Sequence, residues 1–268
     1  MASVSVAVRP PSLATSTTVI AKRSLLKFLR TPQLMWTTFF QGVMFLVIFR
    51  YIFGGAIGAG QLGYVDFVVP GILTTMLIWQ GMGAAVAITE DRAQGLHDRL
   101  RSLPIPRAAV LSGRAAADTT ILLWSLTIMT IVSFLVGFRL HDGIANGLIA
   151  LGLIIVFSFA FEWVFITTGL YAGNAQAAQG ISFLLVPFTF VSSAYVPVSS
   201  MPGWLQTVAS HQPVTYMIDA VRALTGGARA EALLGHPASY FIVRSLVWSA
   251  VIVLVFATIG IARYRRGE

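Results

Sequence analysis

Six stretches of about 20 mostly apolar residues run through this chain, at Leu34–Phe53, Val65–Ile88, Ala117–Phe138, Gly147–Tyr171, Gly180–Tyr195 and Tyr240–Arg263. An α-helix rises about 1.5 Å per residue, so about 20 residues cross a hydrocarbon core about 30 Å thick. A helix also satisfies its own backbone polar groups, which lipid cannot do. The fifth stretch is short, and Ala175–Ala178 extends it at its start. Six spans within 268 residues leave no room for a separate soluble domain of ordinary size. The expectation is an all-α polytopic membrane protein, one domain over 1–268.

Composition excludes the alternatives. The chain is 56% hydrophobic and 10% charged, against about 45–50% and about 25% for soluble domains. An ordinary soluble enzyme, a disordered protein and a nucleic-acid-binding domain are ruled out. Cysteine is absent, which removes disulfides, thiolate metal sites and a Cys nucleophile. The first 20 residues lack the basic-then-apolar layout of a signal peptide, so the first span is expected to act as an uncleaved insertion signal.

The net charge of +8 is read as topology. The segment before span 1, the loop between spans 2 and 3, and the tail together hold 13 of the 18 Lys and Arg residues. The opposite side has only Arg139 in the span 3–4 loop and Arg222, Arg229 and Arg244 between spans 5 and 6. Both termini are therefore expected to be cytoplasmic. No nucleic-acid partner is expected.

Three segments lie between or before the spans. In Thr18–Arg30, Val19, Leu25, Leu26, Phe28 and Leu29 interleave with Lys22, Arg23, Lys27 and Arg30. This reads as an interfacial helix (18–30), with a frayed basic leader as the plainer alternative. Thr31-Pro32 ends it. In the cytoplasmic loop (90–107), Thr89 reads as an N-cap, Glu90 and Asp91 as the first helical turn, and Arg99 and Arg101 as the last, with Pro104 as the stop. Ala93, Leu96, Leu100 and Leu103 form a narrow apolar stripe. Either the stripe rests on the bilayer or it docks into the groove of a soluble partner. The outer segment (197–236) is too long for a plain loop. There Ser200 reads as the cap of a short helix carrying Trp204, Leu205 and Val208. Pro213 starts a second helix with Val214, Met217, Ile218, Val221 and Leu224 on one apolar face, ended by Gly226-Gly227. This pair either dips into the outer leaflet or lies on the surface.

Searching for catalytic chemistry returns little. There is no G-x-x-x-x-G-K-[ST], H-E-x-x-H or G-x-S-x-G. His97, His141, His211 and His236 are far apart, so no metal site is expected. Glu162, inside span 4, is a functional candidate by default, because burying a charge in a membrane is costly. It is expected to pair with Arg50 or to face a cavity or a cationic substrate. Trp79, Gln80 and Met82 in span 2, and Phe183 and Phe188 in span 5, suit a greasy substrate or simple helix packing, and Pro187 should kink span 5.

The loop Glu90-Asp91-Arg92-Ala93-Gln94-Gly95 running into Arg99-Leu100-Arg101-Ser102-Leu103-Pro104-Ile105-Pro106-Arg107, with the basic leader and six spans, resembles a type-2 ABC transporter permease of the daunorubicin-resistance drug and lipid exporter kind. The run from Pro197 through Met201-Pro202-Gly203-Trp204 to His211-Gln212-Pro213-Val214-Thr215-Tyr216 resembles that family's outer re-entrant segment. The resemblance implies a transport subunit of the bacterial inner membrane without its own ATPase site. It implies two ATPase subunits that bind the ATP and Mg, and a second permease as homodimer or sister chain. Glu90, Asp91, Arg92, Leu96, Arg99, Leu100, Arg101 and Leu103 would meet the ATPase. Substrate would pass near spans 1, 2 and 5. The chain lacks the long aromatic-walled soluble elements of some polysaccharide exporters, which favours a hydrophobic drug or lipid-like substrate. A polysaccharide permease, a channel and a membrane-embedded enzyme are the alternatives.

Overall fold

The computed structural model describes residues 29–54, 62–95 and 107–266, with 15, 18, 19, 22, 25 and 26 of the leader. Among them the fold is all-helical. The described residues of the expected interfacial helix are helical at 18, 19, 22, 25, 26 and 29; its other members before 29 lie outside the described residues.

Helix α1 (Pro32–Ile48) starts at Pro32, where a missing N–H costs nothing, and widens into a π turn at Phe49–Phe53. Helices α2 (Tyr64–Gln80) and α3 (Met82–Ala93) form one rod interrupted at Gly81. Then come α4 (Arg107–Leu135), α5 (Gly143–Tyr171), α6 (Ala175–Phe183), α7 (Val186–Phe190), α8 (Gly203–His211), α9 (Pro213–Gly226), α10 (Ala228–Leu234) and α11 (Ala238–Arg266). Among the described residues, four stretches are long and apolar enough to cross a membrane: Tyr64–Ala93, Ala115–Leu135, Gly143–Tyr171 and Ala238–Tyr264. The first and fifth expected spans correspond to shorter apolar helices, Phe40–Phe53 and Ala175–Phe190.

Span 5 is broken rather than continuous. Asn174 caps α6 by accepting from the Ala177 N–H at 2.8 Å, so the helix begins at Ala175. It ends at Phe183, and Pro187 sits in the first turn of α7, where its ring is tolerated.

The rod α2–α3 and helix α5 form the inner layer, whereas α4 and α11 expose most of their length. Helix α3 crosses α5 closely. A Cβ at Gly169 would sit 2.5 Å from the Ala85 carbonyl oxygen, so only glycine allows this approach.

Helix α9 departs from the expected one-sided amphipathic helix. Every residue from Val214 to Gly226 is buried, between α11, α5 and α2. The bundle encloses it, so both its faces are interior. Helix α8 is the surface member of the pair, with Trp204 and Val208 exposed. Its cap also differs from expectation. Ser200 ends a short turn and donates to the Pro197 carbonyl at 2.7 Å, and Pro202 takes the N-cap position.

Candidate functional site

The end of the rod carries the first expected partner-contacting residues. Thr89 lies inside α3, not at an N-cap, and Glu90, Asp91 and Arg92 form the last turn of that helix. Its hydroxyl donates to the Ala85 carbonyl at 2.9 Å and to the Gly169 carbonyl of α5 at 3.0 Å. The expected cap fails because the apolar run before Thr89 already propagates a helix through it. The helix stops at Gly95, whose φ of +67° favours glycine.

Arg92 turns inward. It donates to the carbonyls of Leu170, at 2.7 Å, and Ala172, at 3.4 Å. These belong to the last turn and cap of α5, where a cation suits both the orphan carbonyls and the helix dipole. Glu90 is exposed and Asp91 half-buried. Leu96, Arg99, Leu100, Arg101 and Leu103 lie outside the described residues. Beside this contact, Arg263 of α11 lies 5.1 Å from the centre of the Tyr171 ring, and Tyr264 packs with Ile88, Trp163 and Leu170.

A second cluster gathers Trp79 with aromatic residues from α1 and α7. Its indole N–H donates to Thr189 Oγ1 at 3.1 Å. Its ring meets Phe45 edge-on at 5.6 Å and Phe190 at 5.9 Å. Tyr195 stacks on Phe49 at 4.8 Å, touches Phe190 at 5.0 Å and shares a hydrogen bond with Thr75 at 3.0 Å. Of the expected pathway residues, Trp79 enters this cluster and Met82 packs against the core. The Gln80 amide oxygen is buried without a hydrogen-bond partner among the described residues. Phe183 and Phe188 point away, 62% and 56% exposed, on the outer face of α6 and α7.

Glu162 is buried on α5, at 5% exposure, nine residues before that helix ends. The pairing with Arg50 does not form. Arg50 is exposed and lies over the Tyr51 ring at 5.9 Å. Glu162 lies 19 residues into α5, about 28 Å along the axis from Gly143.

The most polar interior site was missed by the sequence. Arg222 of α9, counted there as a loop charge, is 0% exposed and the bulkiest fully buried side chain among the described residues. Its guanidinium forms a short ion pair with Asp219 and donates from Nη2 to the Ser193 carbonyl at 2.7 Å. Nε donates to the Phe67 carbonyl at 3.0 Å. Ser193 Oγ donates to Asp219 at 2.7 Å. Burial raises the Asp219 carboxyl above its ordinary value and lowers Arg222 to about 10, each opposed by the partner's charge. The available signal was the i,i+3 spacing of Asp219 and Arg222 inside an otherwise apolar helix.

At the same end of the bundle, Asp66 accepts from the Arg139 N–H at 2.9 Å and lies 3.6 Å from His141 Nε2. The His141 N–H donates to the Thr225 carbonyl at 2.8 Å, joining the α4–α5 connection to α9.

Comparison with known proteins adds an independent line. The profile of a family described as ABC-2 type transporter matches residues 15–225. The chain is 28% identical over 244 residues to the daunorubicin resistance ABC transporter permease protein DrrB1 of Streptomyces coeruleorubidus, covering 91% of this chain and 83% of that one. It is 28% identical over 233 residues to a Mycobacterium tuberculosis protein named "Probable doxorubicin resistance ABC transporter permease protein DrrC", covering 84% and 79%. It is 22% identical over 183 residues to the inner membrane transport permease YadH of Escherichia coli, covering 67% and 70%.

Proposed function

The chain belongs to the ABC-2 type transporter family and is the multi-pass permease subunit of an ATP-binding-cassette exporter; from that premise we propose that it exports a hydrophobic drug or lipid-like molecule. The relatives named for daunorubicin and doxorubicin resistance support this substrate class. The aromatic cluster around Trp79 offers apolar ring faces between α1, α2 and α7. In this reading the chain makes six crossings of a bacterial inner membrane, with α1 and the α6–α7 pair as the first and fifth. Both termini are cytoplasmic, and α8 and α9 form the outer re-entrant pair. The segment from Glu90 to Leu103 meets an ATPase subunit. Two ATPase subunits bind the ATP and Mg and serve two permease subunits, either two copies of this chain or a sister pair; this chain holds no nucleotide itself.

The observation that carries the reading is the Arg92 bond to the end of α5. A push on the loop after Gly95 enters two inner helices together, because α3 continues into the loop and Arg92 and Thr89 tie it to α5. Helix α5 packs on α9, and Arg222 ties α9 to α2. Closure of the ATPase pair thus acts on one connected set of inner helices. Such a set exchanges two packings rather than deforming smoothly. Substrate biases the exchange only by binding the two packings unequally.

Co-expression with the cognate ATPase subunit tests this. Purified complex in proteoliposomes should move daunorubicin in an ATP-dependent manner, and Leu96→Asp with Leu100→Asp should abolish both association and transport. Transport by this chain without an ATPase, or normal transport by the double variant, contradicts it. Movement of a polysaccharide but no drug would overturn the substrate class alone.

A further inference from the structure

Two arginines of α11 mark out a membrane thickness. Arg244 and Arg263 are 19 residues apart on one unbroken helix, about 28 Å along its axis. That matches a hydrocarbon core about 30 Å thick. Each stands over tyrosine, the residue type enriched at membrane interfaces. Arg244 lies 3.5 Å from the centre of the Tyr240 ring and 5.7 Å from that of Tyr216. Arg263 lies over Tyr171. Arg244 is thus at headgroup depth.

Among the described residues no ion pair is formed by its guanidinium. Arg244 takes part in neither His141–Asp66 nor Arg222–Asp219. Glu231 of α10 accepts from the Ala238 N–H at 2.6 Å, at the start of α11. The ring contacts pin the guanidinium plane but use none of its N–H donors, which fit phosphate oxygens in pairs. Toward the helix start, His236 stacks on Tyr240 at 4.1 Å with the rings within 10° of parallel. The column His236–Tyr240–Arg244 repeats at one side chain per turn. In the other direction the helix exposes only apolar side chains over the next turns, including Val247, Val251 and Val255.

We propose that this column binds the headgroup phosphate of an anionic phospholipid, with one acyl chain lying along Val247, Val251 and Val255. The cation is fixed, exposed and, among the described residues, in no ion pair, at the level where lipid phosphates lie. The aromatic stack above it excludes water from one side, and the apolar track below accepts the tail. A net negative headgroup is favoured over a zwitterionic one, because the charge that the column pins at this level is the Arg244 cation.

The test uses the full-length chain in detergent, titrated with dioleoyl phosphatidylglycerol and dioleoyl phosphatidylcholine and read by native mass spectrometry. Wild-type protein should bind its first phosphatidylglycerol about tenfold more tightly than phosphatidylcholine, as a charge-assisted contact of this kind predicts. Arg244→Gln should erase the preference. Tyr240→Leu, which keeps the charge but removes its platform, should weaken it, and this variant decides the matter if Arg244→Gln does not fold. Arg50→Gln, which removes another exposed arginine, should leave the first site intact. Equal affinity for the two lipids, or a preference untouched by both α11 variants, overturns the proposal. So does an equal loss in Arg50→Gln, which would mark a general effect of net charge.

Discussion

The Arg222 guanidinium lies 3.9 Å from the centre of the Phe67 ring while its Nε donates to the carbonyl of the same residue at 3.0 Å. One side chain of α9 thus grips both ring and backbone of α2. Two further bonds reach Asp219 and the Ser193 carbonyl. A buried guanidinium persists only when its donors are met in this way.

Removing one member of the pair should therefore cost more than removing both. Arg222→Leu leaves the Asp219 carboxylate buried and should destabilise the chain by about 3–5 kcal/mol. The double change Asp219→Leu with Arg222→Leu should recover much of that loss. Thermal unfolding in detergent checks this; additive losses would mean that the two residues act separately.

Arg92→Gln frees the Leu170 and Ala172 carbonyls but leaves the loop sequence after Gly95 unchanged. The ATPase should still co-purify and hydrolyse ATP, while ATP-driven transport falls about tenfold, a loss of coupling of ordinary size. Loss of association would place Arg92 in the docking surface instead.

Gly169→Ala pushes a methyl group against the Ala85 carbonyl and should destabilise by about 1–3 kcal/mol. Gly152→Ala, on the same helix with nothing within 4 Å of the added carbon, should be neutral or slightly stabilising. Melting curves of the two variants measure the difference directly.

The Trp79–Thr189 bond joins α2 to α7 across the break in span 5. A double-mutant cycle with Trp79→Phe and Thr189→Val should give a coupling of about 1 kcal/mol. A coupling near zero would show that the indole N–H contributes nothing to holding α7.

Apolar runs and breaker residues were legible in the sequence. Pro32 opens α1, Pro213 opens α9 and Gly227 closes it, because proline and glycine act through local backbone geometry alone. Pro187 breaks span 5 for the same reason. What the sequence hid depends on tertiary context. Thr89 has the residue type of a cap, but a hydroxyl inside a helix also serves to bond a neighbour, and Gly169 supplies the carbonyl. Arg222 looks like a loop charge until α9 is enclosed on both faces. Glu162 and Arg50 are ion-pair partners by residue type, but Glu162 is buried on α5 and Arg50 is exposed in the π turn after α1. Phe183 and Phe188 share the aromatic character of Phe190, yet the turn between α6 and α7 directs Phe190 inward to Trp79 and leaves the other two outside.

The central claim is that the segment after Gly95 is held by a separate ATPase. The chain contains no cysteine, so Leu100→Cys introduces a single thiol. Treating membranes that hold this variant and its ATPase partner with a short thiol-to-amine cross-linker should give one product of permease plus ATPase, reduced by Leu96→Asp in the same chain. A Leu100→Cys variant that transports normally but cross-links to no ATPase would contradict the account.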